Sequence, residues 1–213
     1  EVRPCQAPTM AAFEELPAAQ GSGTVLVTGA AGFIGSHVAE ALLHRGETVA
    51  VVDEVNDYYD PRIKRANLNR LTKGWGQRVK IYEGDICDEQ FINHVFEAEG
   101  PIRRIIHLAA RAGVRPSIQD PFIYVHSNLE ATTRLLELAR IYGCDHFVYA
   151  SSSSVYGESS SEAFSEQDVV EHPVSPYAAT KKMCELTAHT YHHLYGFPVA
   201  GLRFFTVYGP GDR

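Results

Sequence analysis

The stretch Thr24-Val25-Leu26-Val27-Thr28-Gly29-Ala30-Ala31-Gly32-Phe33-Ile34-Gly35 decides the fold. Its first half is a β-branched run that reads as a short buried strand ending at glycine. Ile34, Val38, Ala41 and Leu42 then recur at helical spacing, so a helix opens on the glycines. Strand, glycine turn and helix N-terminus together make an anion-binding corner. Glycine lets backbone approach a diphosphate without a Cβ clash, and the free N–H groups and dipole of the helix face the charge. A glycine-rich turn is often only a turn, so the surroundings matter. The next apolar run, 49–52, ends at Asp53, which lies 18 residues beyond Gly35. An acid there accepts hydrogen bonds from an adenosine ribose and repels a 2′-phosphate, which favours NAD over NADP. The plainer alternative for Asp53 alone is a turn-forming acid.

Working outward, the apolar runs at 79–82, 105–108, 147–149 and 199–205 alternate with helical patterns. Phe91, Val95 and Phe96 keep helical spacing; so do Leu129, Leu135, Leu136, Leu138 and Ala139, with Gly143 placed to cap the end. The alternation predicts an α/β fold, a doubly wound parallel sheet with helices on both faces. The polar and special residues follow the strands, at the edge where such sheets bind ligands.

The chain has 213 residues, 45% hydrophobic and 21% charged, with a formal net charge of −7, which excludes bulk disorder and fibrous repeats. With no basic run, a nucleic-acid partner is not expected. No apolar stretch approaches membrane-spanning length. Cys5, Cys87, Cys144 and Cys184 are scattered, as expected of reduced thiols in a cytoplasmic setting. Residues 1–22 read as a flexible tail and 23–213 as one dinucleotide-binding domain.

Tyr177-Ala178-Ala179-Thr180-Lys181 follows Pro176, which suits the first turn of a helix. Tyr177 and Lys181 then share one helix face. A free tyrosine has a pKa of about 10, so it becomes a base near neutrality only if nearby positive charge supplies a shift of about 3 units, or roughly 4 kcal/mol. Lysine and an oxidised nicotinamide are suitable sources. The alternative is an amphipathic helix with a surface lysine. The tract Ser151-Ser152-Ser153-Ser154-Val155-Tyr156-Gly157, after a strand, makes the pair more specific.

These motifs resemble the extended short-chain dehydrogenase/reductase group, the NAD-dependent epimerase/dehydratase family. The resemblance implies a Rossmann fold with NAD as cofactor. Gly29, Gly32, Phe33, Ile34 and Gly35 match its fingerprint, Asp53 its ribose side, Asp85 and Ile86 its adenine site, and Asn56 is a further cofactor-binding position. Leu108, Ala109 and Ala110 match the loop passing the cofactor, Asn128 a central-helix asparagine, and Phe205 a residue flanking the nicotinamide. Ser152, Tyr177 and Lys181 match the catalytic hydroxyl, base and electrostatic partner, the last two also touching the cofactor. Residues 57–61, 107–110, 112–115, 151–157, 177–182 and 202–210 are similar to the UDP-glucuronate 4-epimerase branch of the family. That implies a UDP-sugar substrate oxidised transiently at C4, with Arg115, Ser152, Ser153, Thr206 and Arg213 on the substrate side. Arg111 departs from the branch's usual glutamine and Glu54 from its usual asparagine; the resemblance puts both near the cofactor, where they bear on its affinity. Ser153 and Ser154 are not acidic, and relatives that eliminate or decarboxylate use an acid there, so epimerisation fits better.

The resemblance also implies that this chain holds little of the smaller C-terminal substrate domain. A UDP-glucose/galactose 4-epimerase, or a nucleotide-binding protein without turnover, are the competing readings. A homodimer through the long helices is the expected assembly. His189, His192 and His193 lack a metal-site pattern and read as an exposed helix face, so no metal is expected. Asp57-Tyr58-Tyr59-Asp60 reads as a loop beside the adenosine end.

Overall fold

The structure, a computed structural model, describes residues 23–158 and 163–211. The tail 1–22 with Cys5, and Arg213, lie outside the described residues. Six strands form one sheet: β1 (Thr24–Thr28), β2 (Thr48–Asp53), β3 (Val79–Glu83), β4 (Ile102–His107), β5 (His146–Ser152) and β6 (Val199–Phe204). Every pairing is parallel, in the order β3-β2-β1-β4-β5-β6. The chain winds outward from β1 to β3, then returns to lay β4 on the other side of β1. That reversal opens a crevice beyond the carboxyl ends of β1 and β4, where Gly29 and Leu108 follow the strands.

Side chains alternate across β1 and β2 and so build two cores. Val25, Val27, Val49 and Val51 pack under α1 (Phe33–His44) and α2 (Pro61–Trp75), through Ala39, Leu43, Leu68 and Leu71. Leu26, Ala50 and Val52 face the other way, toward Ile92, Val95 and Phe96 of α3 (Glu89–Ala98) and Leu135 and Leu136. Each such fully buried aliphatic side chain stabilises the fold by about 1.5–3 kcal/mol. Continuous apolar strands are what a sheet covered on both faces requires.

Local chemistry fixes the helix ends. Asp60 accepts from Arg62 N at 2.9 Å ahead of Pro61, and Asp88 accepts from Phe91 N at 3.1 Å. After α4 (Val114–Gln119), one helical run passes through α5 (Pro121–Tyr124), a widened π turn (Val125–Glu130) and α6 (Ala131–Tyr142). It stops at Gly143, left-handed at φ 66°. α7 (Pro176–Tyr195) starts from Ser175, whose hydroxyl accepts from Ala178 N at 3.1 Å, and ends at left-handed Gly196.

Candidate active site

The crevice holds a cavity of about 400 Å³ bounded by the loops after β1, β2, β4 and β5 and by α7. At its floor, Gly29 turns left-handed at φ 75°, and a Cβ there would lie 2.6 Å from Ala109 N. A Cβ on Gly35 would overlap the carbonyl oxygen of Gly29. Glycine is therefore required where β1 enters α1, and the first-turn amides of α1 face the cavity without intrahelical acceptors. This cradle, closed by any larger residue, fits a dinucleotide's diphosphate.

Asp53 ends β2 with both carboxylate oxygens occupied: Oδ2 accepts from Ala31 N and Oδ1 from Val55 N, each at 2.9 Å. Burial raises its carboxyl above the usual range, while the two backbone donors pull it back. The turn forces Val55 to a positive φ of 49°, strained for a β-branched residue. Asn56 also lines the cavity, and Lys64 donates to its backbone and side-chain oxygens at 2.8 and 2.7 Å.

His107 is wholly buried beneath the loop after β4. Its Nδ1 lies 2.7 Å from the Thr28 hydroxyl and its Nε2 3.1 Å from the Thr132 hydroxyl. Thr132 donates to Asn128 O, so it accepts from Nε2–H. Thr28 then donates to Nδ1 and accepts from Ala109 N at 3.2 Å. Burial pushes the imidazole down to about 3, so it is neutral. This chain of bonds ties β1, the Ala109 loop and the π turn into one unit.

The opposite wall carries Ser152, Tyr177 and Lys181. Ser152 ends β5, and its hydroxyl is hydrogen-bonded to the Tyr177 phenol. Burial raises the Tyr177 phenol, against which the Ser152 bond works. Tyr124 meets Tyr177 edge-on at 6.1 Å, and Ser117 Oγ accepts from Tyr177 N at 3.1 Å, which fixes the ring. Lys181, one turn on, is buried and donates to Ala150 O at 2.9 Å. Burial lowers its ammonium. Ser151, next to Ser152, donates to Glu185 at 2.7 Å, and Arg203 of β6 grips the same carboxylate at 2.9 and 3.0 Å. The bridge pins β6 to α7 ahead of Phe205.

Most residues singled out from the sequence line this one cavity: Gly29, Phe33, Ile34, Gly35, Asp53, Asn56, Asp85, Ile86, Leu108, Ala109, Ala110, Ser152, Tyr177, Lys181 and Phe205. Gly32, Ser153, Arg115 and Thr206 are not on its wall. Asn128 differs too. It is 1% exposed and spends its amide on Arg111 and Thr180, so it acts on the cavity through other residues. Sequence reasoning gave no site role to Lys64 or Ser127, and singled out Tyr59 only as part of a loop; all three line the cavity. They arrive from helices and loops with no motif to mark them.

The histidines of α7 are exposed, and His192 Nδ1 lies 2.9 Å from Phe197 O at the helix end. Among the described residues the group with metal-ligand chemistry is instead Asp85, Cys87 and His126, donor atoms within 4.8 Å of one another. His126 Nε2 sits 2.8 Å from Asp85 Oδ2 and Nδ1 3.0 Å from Glu130 Oε2. The 2.8 Å separation is that of a hydrogen bond between nitrogen and oxygen. An imidazolium donates to both acids at once, and the Asp85 bond leads in raising its pKa.

A crossover crevice, a glycine cradle, an acid ending β2 and a Ser–Tyr pair on the facing wall define a dinucleotide-binding α/β fold. The profile of the NAD dependent epimerase/dehydratase family matches residues 25–213, and the chain belongs to that family. It is 49% identical over 191 residues to UDP-glucuronate 4-epimerase 3 of Arabidopsis thaliana, covering 89% of this chain and 44% of that protein. Against UDP-glucuronate 4-epimerase of Thermodesulfobacterium geofontis it is also 49% identical, covering 90% and 58%. The crystal structure of UDP-glucuronic acid 4-epimerase from Bacillus cereus, in complex with UDP-glucuronic acid and NAD, superposes with a TM-score of 0.81 at 38% identity, covering 89% of this chain and 59% of that one. The chain spans about half the length of the curated relatives it matches.

Proposed function

We propose that the protein binds NAD and epimerises a UDP-sugar at C4, converting UDP-glucuronate to UDP-galacturonate. The observation that carries this reading is the Ser152–Tyr177 pair on the wall of the cavity whose floor is the glycine cradle. Gly29 to Gly35 would hold the diphosphate, Asp53 and Asn56 the adenosine ribose, and Asp85 with Ile86 the adenine. When bound, NAD supplies a reversible acceptor for the hydride at C4. Tyr177 takes the C4 hydroxyl proton as the ketone forms and returns it when the opposite face is reduced. Ser152 donates to the same sugar oxygen and holds it against Tyr177. Lys181, fixed by Ala150 O, contributes positive charge and a ribose contact once the water-poor pocket is filled. No acid stands beside Ser152 at positions 153 or 154, which supports epimerisation over elimination.

Thr206 and Arg213 are our candidates for the sugar carboxylate, with Arg115 as the rival. An arginine fork matches a carboxylate with two bonds, and Thr206 follows Phe205 of the cavity wall. A homodimer through α5–α6 and α7 accounts for exposed Phe122, Val125, Ile141, Leu186 and Leu194 on those helices. No helix among the described residues is long and apolar enough to cross a membrane. Free Cys87, Cys144 and Cys184 support a cytoplasmic setting.

The test incubates the chain with NAD and UDP-glucuronate and resolves the two uronate epimers by chromatography. Tyr177→Phe should cost on the order of 10²–10⁴ in rate and leave NAD bound. Faster interconversion of UDP-glucose and UDP-galactose would move the assignment to the neutral sugars. NAD binding without turnover of either pair would leave a nucleotide-binding protein.

A further inference from the structure

Arg111 stands in the loop after β4, on the cavity wall. None of the hydrogen bonds or ion pairs among the described residues uses its side chain, and its Nε is buried without a partner. Arg45 and Arg134 also bury an unpartnered Nε, but neither lines the cavity. The other cations of the wall are already committed: Lys181 donates to Ala150 O and Lys64 to Asn56. A buried donor left unpaired is costly unless something else accepts from it.

The side chain is nonetheless held in place. Its Cζ lies 5.2 Å from the centroid of the Tyr58 ring, a cation–π contact. Tyr58 in turn donates to Ala112 O, as does Tyr124 at 3.0 Å. The Arg111 backbone is clamped by Asn128, which accepts from its N–H at 2.8 Å and donates to its carbonyl at 3.1 Å. A guanidinium fixed at both ends, with its donors unspent, is arranged for an anion brought by a ligand.

We propose that Arg111 binds the diphosphate of a nucleotide in this cavity. The inference rests on the nucleotide-binding reading of the crevice. The glycine cradle offers backbone N–H groups but no cation; Arg111, one strand across from it, adds the charge and a fork of donors suited to two phosphate oxygens. Diphosphate is the chemistry shared by NAD and by a UDP-sugar.

Calorimetric titration of the 213-residue chain and of Arg111→Ala, Arg111→Gln and Arg111→Lys with NAD, UDP, adenosine and uridine tests it. Loss of a charge-assisted contact should weaken the diphosphate ligand that Arg111 holds by about 10- to 100-fold in the Ala and Gln variants. Lys should recover part of the loss, as a point charge without the fork. Adenosine and uridine, which carry no phosphate, should bind all variants alike. Loss confined to NAD assigns the dinucleotide's diphosphate, and loss confined to UDP assigns the substrate's. Added salt should weaken the unsubstituted chain more than Arg111→Ala. NAD and UDP binding within twofold of the original in Arg111→Ala overturns the proposal. So does an equal loss for the nucleosides, which would reveal a packing role on Tyr58. An unsubstituted chain that binds neither NAD nor UDP overturns the nucleotide reading itself, and this inference with it.

Discussion

Asn128→Ala is the substitution that most directly tests how the site is held together. The side chain sits in the π turn, 1% exposed, and closes three hydrogen bonds: from Arg111 N, to Arg111 O and to the Thr180 hydroxyl at 3.0 Å. Alanine removes all three and leaves an N–H and a carbonyl of the Arg111 loop without partners. A buried unsatisfied group costs about 1–3 kcal/mol, and Arg111 is only half-buried, so the two together should cost about 2–4 kcal/mol. At about 2–4 °C per kcal/mol for a chain of this length, Tm should fall by about 5–15 °C. Thr180→Ser keeps the hydroxyl that accepts from Asn128 and donates to Tyr177 O at 2.8 Å, so its Tm should fall by a few degrees at most. Scanning calorimetry of the two variants beside the original chain reads both values. A drop under about 2 °C for Asn128→Ala, or one no larger than that of Thr180→Ser, would refute the clamp. It would show that the Arg111 loop finds other partners at no cost.

Gly29→Ala should lower Tm and abolish NAD binding together, since the left-handed backbone alone costs about 1–2 kcal/mol and the new Cβ meets Ala109 N at 2.6 Å; a variant that titrates with NAD like the original would remove the cradle from the site. His107 should make the fold acid-labile. The unfolded chain takes up a proton below about pH 6.5, whereas the buried ring stays neutral down to about 3, so stability falls as pH drops between those values. Urea midpoints measured from pH 7 to pH 4 should fall steeply, and less so in His107→Asn. Identical slopes in the two proteins would mean that other groups carry the acid sensitivity.

The fold was legible because its determinants are local. Val25 to Val27 and Val49 to Val52 read as continuous apolar runs, which only a sheet covered on both faces explains, and the glycine turn between strand and helix fixed which end would bind. Tyr177 and Lys181 were legible for the same reason: four residues apart on one helix, behind a proline and a serine cap. What the sequence hid is long-range. His107, Thr28 and Thr132 meet across 79 and 25 residues, and no spacing rule joins them. Asn128 carries a motif but not its own role, because a π turn rotates its amide into Arg111 and Thr180 rather than toward the cavity. Spacing put Lys181 on the Tyr177 face, but not the backbone carbonyl of Ala150, supplied by a strand 31 residues earlier, that anchors its ammonium. Helical spacing puts two side chains on one face, but which partner each one reaches depends on what the sheet brings beneath them. The same logic explains Arg111. The sequence set it near the cofactor but not how it is held: Asn128 and Tyr58, 17 residues after it and 53 before it, fix it with its Nε unpaired.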